Sequence, residues 1–191
     1  MRPKIMYFSR WWADLFTELK DKFTIYFLLI ARQQEQPTKL VIFALKLLHT
    51  IKRKNMYTEE LVKPMREDLT NIGFIELHTE QDVTEALAKE GTTLMVVNSV
   101  CGCAAANARP GAQMSLQNAK TPDHLVTVFA GVDREAVDAA RSQMVPFPPS
   151  SPSMALFKNG ELVHMLERHH IEGRAAEMIA ENLKSAYDEF C

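Results

Sequence analysis

Two cysteines separated by one glycine, Cys101-Gly102-Cys103, are the residues with the clearest chemical potential in this sequence. They follow an apolar, β-branched run at residues 92–98 and precede an alanine-rich run at residues 104–108, which predicts a strand followed by a helix. The free N–H groups and the positive dipole end at a helix start favour a thiolate over a thiol. The pattern is therefore typical of a site that exchanges disulfides.

The order of the two thiols predicts different roles for them. Cys101 lies nearer the loop and is expected to be exposed, with a lowered pKa, so it attacks. Cys103 falls within the first helical turn and is expected to be less accessible, so it resolves. Gly102 is expected to supply the backbone freedom that a small disulfide ring needs. Because so small a ring departs from preferred disulfide geometry, the pair is predicted to be a relatively oxidising or isomerising couple.

An alternative interpretation is a binding module for a soft metal. Cys101 and Cys103 would then hold zinc or copper together with His164, His169 and His170. The spacing of these residues matches no usual structural zinc pattern, so no metal site is predicted. The histidines are expected instead to be loop or capping residues.

Two further residues are open to more than one interpretation. Arg109 either stabilises a thiolate or receives a substrate carboxylate, or it is an ordinary solvated surface residue. Cys191 ends the last predicted helix, where the negative dipole end makes a thiol a poorer nucleophile. It either has no role or forms a third redox position, reached through a mobile C-terminus.

The elements that would position these residues alternate between helix and strand from Met56 onward. The predicted order is helix, strand, helix, strand, Cys-Gly-Cys, helix, strand, helix, proline turn, strand, hairpin, strand, helix. This alternation predicts an α/β fold with parallel pairing, and an Asn159-Gly160 turn adds an antiparallel edge. The first helix is predicted to bury Leu61, Met65, Leu69 and Ile72. The alanine-rich helix is predicted to kink or stop at residues 109–111.

The composition is that of an ordinary globular chain, with 47% apolar and 24% charged residues. A formal net charge of -2 gives no general attraction to nucleic acid. Three cysteines are too few for a secreted domain built on disulfides. These observations predict a cytoplasmic protein that does not bind nucleic acid.

The first 55 residues differ from the rest in charge. Residues 1–55 carry a net charge of +7 and nine of the sixteen aromatic residues, whereas residues 56–191 carry -9. We therefore predict a basic, aromatic-rich helical extension at residues 1–55, not natively packed, and a domain at residues 56–191. The two apolar stretches of the extension, residues 23–31 and 40–51, are shorter than the ~18 to 20 residues of a membrane span. Contact with a membrane surface is the alternative that we do not favour.

Several segments of the domain resemble known redox proteins. Residues 152–161, Pro-Ser-Met-Ala-Leu-Phe-Lys-Asn-Gly-Glu, resemble the cis-proline strand and hairpin of thioredoxins. Residues 56–66, 97–104, 108–111 and 188–191 resemble the bacilliredoxin family, in which Cys-Gly-Cys is followed by Ala-Arg-Pro. Members of that family begin near Met56, so the extension departs from its pattern.

The resemblance implies a thioredoxin-like three-layer sandwich with a mixed central sheet. It also implies that Pro152 follows a cis bond beside the thiols, and that the backbone of Ser151 pairs with an extended client. The implied activity is thiol-disulfide exchange that removes bacillithiol, or a similar low-molecular-weight thiol, from mixed disulfides on client proteins, with weak disulfide isomerase activity. Cys101 would take the thiol and Cys103 would resolve it. The thiol is a co-substrate, and no cofactor is implied.

Overall fold

The structure, a computed structural model of the chain, describes residues 56–191. The predicted extension at residues 1–55, together with its helices and its membrane contact, lies outside the described residues. None of the helices between residues 56 and 191 has the length and apolar character needed to cross a bilayer.

Helices and strands alternate along the described residues, as predicted. The α-helices are α1 (Glu59–Thr70), α2 (Glu80–Leu87), α3 (Arg109–Ser115), α4 (Arg134–Ser142), α5 (Arg168–Ile171) and α6 (Ala176–Phe190). A π-helical segment, Ala104–Ala108, leads directly into α3. The strands are β1 (Ile75–Glu76), β2 (Thr92–Asn98), β3 (His124–Phe129), β4 (Ser153–Lys158) and β5 (Glu161–Leu166).

The five strands form one mixed sheet in the order β1-β3-β2-β4-β5. β1, β3 and β2 are parallel, whereas β4 runs antiparallel to both β2 and β5. The predicted parallel core with an antiparallel hairpin is therefore confirmed. Val97, near the end of β2, pairs with Ser153 at the start of β4. We call the edge where β2 ends and β4 begins the C-terminal edge of the sheet.

Helices cover both faces of the sheet because β2 is apolar on both faces. Every residue of β2 is buried. Leu94 and Val96 pack in a cluster with residues of α1, α3 and α6, while Met95 and Val97 pack in a second cluster with residues of α2 and α4. The described domain is thus a three-layer sandwich, as expected.

The buried face of α1 matches the predicted one only in part. Leu69 is buried as predicted, and Met65 and Ile72 are partly buried. Leu61 is 48% exposed, however, and α1 also buries Val62 and Arg66. The pattern of apolar residues alone does not predict that Arg66 lies on the buried face of α1, because an arginine is expected to stay in water. Arg66 is buried because it is paired with carboxylates from other elements.

Two predicted helix boundaries are also corrected. The alanine-rich helix does not stop at Pro110, which lies in the first turn of α3, where a missing N–H is tolerated. The preceding turn is π-helical, with the N–H of Arg109 bonded to the carbonyl of Ala104. The last helix, predicted over residues 171–190, begins five residues later, at Ala176, because the short α5 precedes it and Gly173 between the two lies in the left-handed region at φ +73°.

Candidate active site

The Cys-Gly-Cys segment lies where β2 leaves the C-terminal edge of the sheet and the helix begins. Cys101 and Cys103 are joined in a disulfide, with their Cα atoms 5.4 Å apart. The N–H of Ala104 is directed at Cys101 Sγ at 3.4 Å and at the Cys101 carbonyl at 3.0 Å. The sulfur of Cys101 therefore meets one N–H group of a helix start, which it shares with the Cys101 carbonyl, and the cysteine lies at a helix start as the sequence predicts.

Cys101 is less exposed than the sequence predicts. Both side chains are partly buried, and Gly102 between them is exposed. Gly102 has no positive φ angle, and a Cβ atom there would meet no heavy atom within 4 Å. The prediction that this position requires the backbone freedom of glycine is therefore wrong.

A serine hydroxyl that sequence reasoning missed lies beside the first cysteine. Ser99 Oγ is 3.3 Å from Cys101 Sγ, and Ser99 is only 7% exposed. The backbone N–H of Ser99 donates to the side-chain carbonyl of Asn98 at 2.8 Å. The only signal in the sequence is a hydroxyl two residues before the cysteine, in the turn that follows a buried strand.

Arg109 lies beneath this turn and not at the surface. It is 5% exposed, and its Nη1 donates to Asn98 Oδ1 at 3.1 Å and to the carbonyl of Ser99 at 3.2 Å. Its Nε donates to Asp68 Oδ2 of α1 at 2.8 Å. The alternative of a solvated surface arginine is therefore wrong. Because the guanidinium is bonded to three partners, its place favours holding the Ser99 turn over receiving a substrate carboxylate.

Asn98 connects this turn to the first helix. Its Nδ2 donates to the carbonyl of Met65 at 3.0 Å, while its Oδ1 accepts from both Ser99 and Arg109. Asn98 is 1% exposed. All of its bonds are therefore made to protein groups, which fixes the end of β2 relative to α1.

The second loop at the C-terminal edge contains the predicted proline. The Ser151-Pro152 bond is cis, as the resemblance implies. Pro152 directly precedes Ser153, which pairs with Val97 of β2, so it enters the sheet beside the strand that leads to Cys101. The carbonyl of Ser151 already accepts from Arg168 Nη1 at 3.1 Å. The expectation of an open backbone at Ser151 is thus corrected for its carbonyl group.

A buried ion-pair network lies at the same edge. Asp133, which is 8% exposed, accepts from Nη1 and Nη2 of Arg66 at 2.8 and 3.0 Å and from the N–H of Phe129 at 3.0 Å. His78 Nδ1 is 3.0 Å from Asp133 Oδ1, the oxygen that also accepts from Arg66 Nη2. Burial raises the pKa of Asp133, but the hydrogen bonds and charges of Arg66 and His78 outweigh it, so the pKa is lowered overall.

The third cysteine is far from this site along the sheet. Cys191 is exposed, and Phe190 before it accepts from Lys158 Nζ at 2.7 Å. Lys158 pairs with Thr92 at the start of β2, whereas Cys101 follows the end of that strand. Seven residues of strand span about 20 Å. This placement disfavours Cys191 as a third redox position for the Cys101 site.

The predicted alternative of a metal module is not supported by the arrangement of these groups. Among residues 56–191, the side chains close enough to share a metal ion are Glu167, His169 and His170, and neither disulfide cysteine is among them. The ring of His170 accepts from the N–H of Glu167, which makes it a capping residue as expected. His164 is bonded to Asn182 at 2.7 Å. His164 and His170 therefore make local structural contacts.

A central strand that delivers a dithiol to a helix start, beside a neighbouring strand that begins after a cis-proline, is the arrangement of thioredoxin-like proteins. The β1-β3-β2-β4-β5 order with one antiparallel hairpin belongs to the same fold. The protein is accordingly a thiol-disulfide oxidoreductase of the thioredoxin-like class.

Comparison with known proteins identifies the family within that class. The model of the disulphide isomerase family matches residues 57–191. A bacilliredoxin of Cytophaga hutchinsonii is 59% identical over 134 residues, covering 70% of this chain and 99% of its own length. A bacilliredoxin of Shouchella clausii is 56% identical over 136 residues, covering 71% of this chain and 94% of its own. The chain belongs to the bacilliredoxin family.

Solved structures similar to this chain include thioredoxins. A reduced thioredoxin pre-protein of Schistosoma mansoni is 18% identical, with a TM-score of 0.44, over 62% of this chain and 98% of its own.

Proposed function

We propose that the protein removes bacillithiol, or a similar low-molecular-weight thiol, from mixed disulfides on client proteins. The observation that carries this proposal is the contact of Cys101 Sγ with the N–H of Ala104 at the helix start, which favours the thiolate. Relatives that are 59% and 56% identical are bacilliredoxins, which supports bacillithiol as the thiol.

The exchange proceeds in two displacement steps. The Cys101 thiolate attacks the bacillithiol sulfur of the mixed disulfide, so that a Cys101-bacillithiol disulfide forms and the client leaves as a thiolate. The Cys103 thiolate then attacks Cys101 Sγ and releases bacillithiol as a thiolate. The product is the Cys101–Cys103 disulfide that the structure contains. Two electrons have passed from the cysteine pair to the mixed disulfide.

Return to the dithiol requires two electrons from a further thiol. Two molecules of a low-molecular-weight thiol or one dithiol reductant supply them, and bacillithiol is then both product and co-substrate. The partners in this cycle are S-thiolated client proteins and the small thiol, without nucleic acid or a bound cofactor. A cycle of this kind needs a reducing compartment, so we place it in the cytoplasm.

Disulfide isomerisation is a second proposed activity. The description of the matching family, disulphide isomerase, supports it. In this reaction Cys101 attacks a client disulfide, and a second client thiolate displaces Cys101 with no net change of electrons. Recovery of activity by a client with scrambled disulfides tests it, and a Cys101→Ser chain that restores the client as well as the parent contradicts it.

The test of the proposed function is capture of the first intermediate. A full-length Cys103→Ser chain is mixed with a bacillithiolated client and, separately, with the same client carrying glutathione. Mass spectrometry is expected to find bacillithiol on Cys101 and an equal amount of free client thiol, with less transfer of glutathione. A Cys101→Ser, Cys103→Ser chain is the control, in which any adduct lies on the exposed Cys191 and is subtracted. If the wild type exchanges disulfides but Cys103→Ser captures neither thiol, the proposed order of attack is wrong.

A further inference from the structure

The turn between β2 and the active-site helix places a second hydrogen-bond donor on Cys101. Ser99 Oγ and the N–H of Ala104 lie 3.3 and 3.4 Å from the same Sγ atom. The helix start supplies only the second of these donors. The other donor, the Ser99 hydroxyl, comes from the start of the turn, directly after β2. Ser99 is 7% exposed, so little water competes for this hydrogen bond.

The backbone that carries this hydroxyl is held by hydrogen bonds on both sides of Ser99. The Ser99 N–H donates to Asn98 Oδ1 at 2.8 Å, and the Ser99 carbonyl accepts from Arg109 Nη1 at 3.2 Å. The same guanidinium nitrogen also donates to Asn98 Oδ1 at 3.1 Å. Ser99 is thus held by a closed ring of hydrogen bonds and not by packing alone.

We propose that Ser99 is a catalytic residue whose hydroxyl donates a hydrogen bond to the Cys101 thiolate, and that Asn98 and Arg109 are the positioning residues that hold it there. The proton stays on the serine oxygen throughout. The hydroxyl stabilises Cys101 as a thiolate in both directions: before it attacks a mixed disulfide, and when it leaves on reduction of the Cys101–Cys103 bond. The inference rests on the proposed attack by Cys101.

Arg109 contributes charge as well as position. It is 5% exposed, and its one carboxylate partner, Asp68, is largely open to solvent, with 56% of its side chain exposed. Water screens the exposed carboxylate better than the buried guanidinium. The ion pair therefore leaves a net positive field beneath the Ser99 turn, which favours negative charge on Cys101.

The test measures the pH midpoint of Cys101 alkylation in the full-length reduced chain, with Cys103 and Cys191 replaced by serine so that one thiol reacts. Ser99→Ala is expected to raise the midpoint by about one pH unit, since a hydrogen bond to a charged group is removed. At a pH well below the midpoint, the alkylation rate falls about ten-fold. Ser99→Thr keeps the hydroxyl and is expected to restore most of the shift. Arg109→Lys is expected to move the midpoint upward by a smaller amount.

Ser115→Ala is the matched control for loss of a buried hydroxyl. Ser115 is 0% exposed and is bonded to the carbonyl of Ala112 and to Tyr187 Oη, away from the cysteines. This variant is expected to leave the midpoint unchanged. If Ser99→Ala does not fold, the isosteric pair Ser99→Thr and Ser99→Val gives the same comparison.

Equal midpoints in the parent, Ser99→Ala and Ser115→Ala chains would overturn the assignment of Ser99. The proposed function fails by a different result, because a Cys101→Ser chain that still removes the thiol from a client contradicts attack by Cys101. Alkylation uses iodoacetamide and needs no client, so the two outcomes are independent.

Discussion

The guanidinium of Arg66 binds the carboxylate of Asp133 through two parallel hydrogen bonds, Nη1 to Oδ2 at 2.8 Å and Nη2 to Oδ1 at 3.0 Å. The two residues are 67 positions apart in the chain. Arg66 belongs to α1, and Asp133 directly precedes α4, so the pair joins the helical layers on opposite faces of the sheet. Both residues are under 10% exposed, so the bond is shielded from salt and water.

Replacement of Asp133 by asparagine is expected to lower the free energy of unfolding by about 3 kcal/mol at pH 7, because a buried guanidinium loses the buried carboxylate that binds it through two hydrogen bonds. The pKa of Asp133 is lowered in the folded state, so the carboxylate stabilises the fold above its unfolded pKa of about 3.9. That stabilisation is lost as the pH falls through the lower folded value. The difference between variant and wild type should therefore shrink below about pH 4 in urea unfolding experiments.

Asp138→Asn is the control for this measurement, since Asp138 is an exposed carboxylate in α4, the helix that Asp133 precedes. It is expected to change stability by less than about 0.5 kcal/mol at any pH. If Asp133→Asn lowers the free energy of unfolding by the same amount at pH 3 and pH 7, the stabilisation comes from the shape of the side chain and not from its charge.

Replacing each of two glycines near the active-site helix by alanine is expected to affect stability differently. A Cβ at Gly111 would lie 2.8 Å from Ile179 Cγ2 and 3.1 Å from the carbonyl of Ala176, so Gly111→Ala must push α3 and α6 apart. Thermal and urea unfolding are expected to show a loss of about 1 to 3 kcal/mol. Gly102→Ala meets nothing within 4 Å and should leave stability within about 0.5 kcal/mol of wild type. A large destabilisation by Gly102→Ala would mean that glycine is needed there after all.

Arg168 offers a test of how clients are held. Its guanidinium donates a hydrogen bond to the carbonyl of Ser151 and two hydrogen bonds of 3.1 Å to the carboxylate of Glu172. If a client strand pairs with Ser151, Arg168→Ala should speed exchange with a peptide mixed disulfide by about five-fold, the worth of one net hydrogen bond of about 1 kcal/mol. Lys184→Ala removes a similar ion pair from α6 and should have no effect. Slower exchange in Arg168→Ala would indicate that the guanidinium itself binds the client.

A chain that begins at Met56 is expected to exchange disulfides at the rate of the full chain. Every residue placed at the C-terminal edge of the sheet lies between residues 56 and 191, and the family match begins at residue 57. Turnover and solubility of the two chains are compared directly. A shortened chain that folds and yet loses exchange would assign residues 1–55 to the site.

Features encoded by neighbouring residues could be predicted from the sequence. The positive φ angles at Asn159 and Gly160 and the buried strand before the cysteines both depend on short spacings. Such signals need no knowledge of tertiary contacts. For the same reason, the position of the dithiol at a helix start could be predicted.

Features that depend on partners far apart in the sequence could not be predicted. Arg66 is buried because of Asp133, and Arg109 because of Asp68 and Asn98, none of which lies within ten residues of its partner. The role of Ser99 requires the turn geometry that those bonds create. A sequence pattern reports the polarity of a side chain, but the free energy of burying it depends on what it meets in the fold.

The distance of Cys191 from the disulfide has a practical use. In the oxidised protein it is the one free thiol, because the chain contains three cysteines and the other two are bonded to each other. A maleimide dye or a surface linker can therefore be attached at a single point, at the end of the sheet opposite the reactive pair. Immobilised in this way, every molecule presents its Cys-Gly-Cys face to solution, and the protein becomes an oriented probe with which thiolated clients can be retained from a flowing sample.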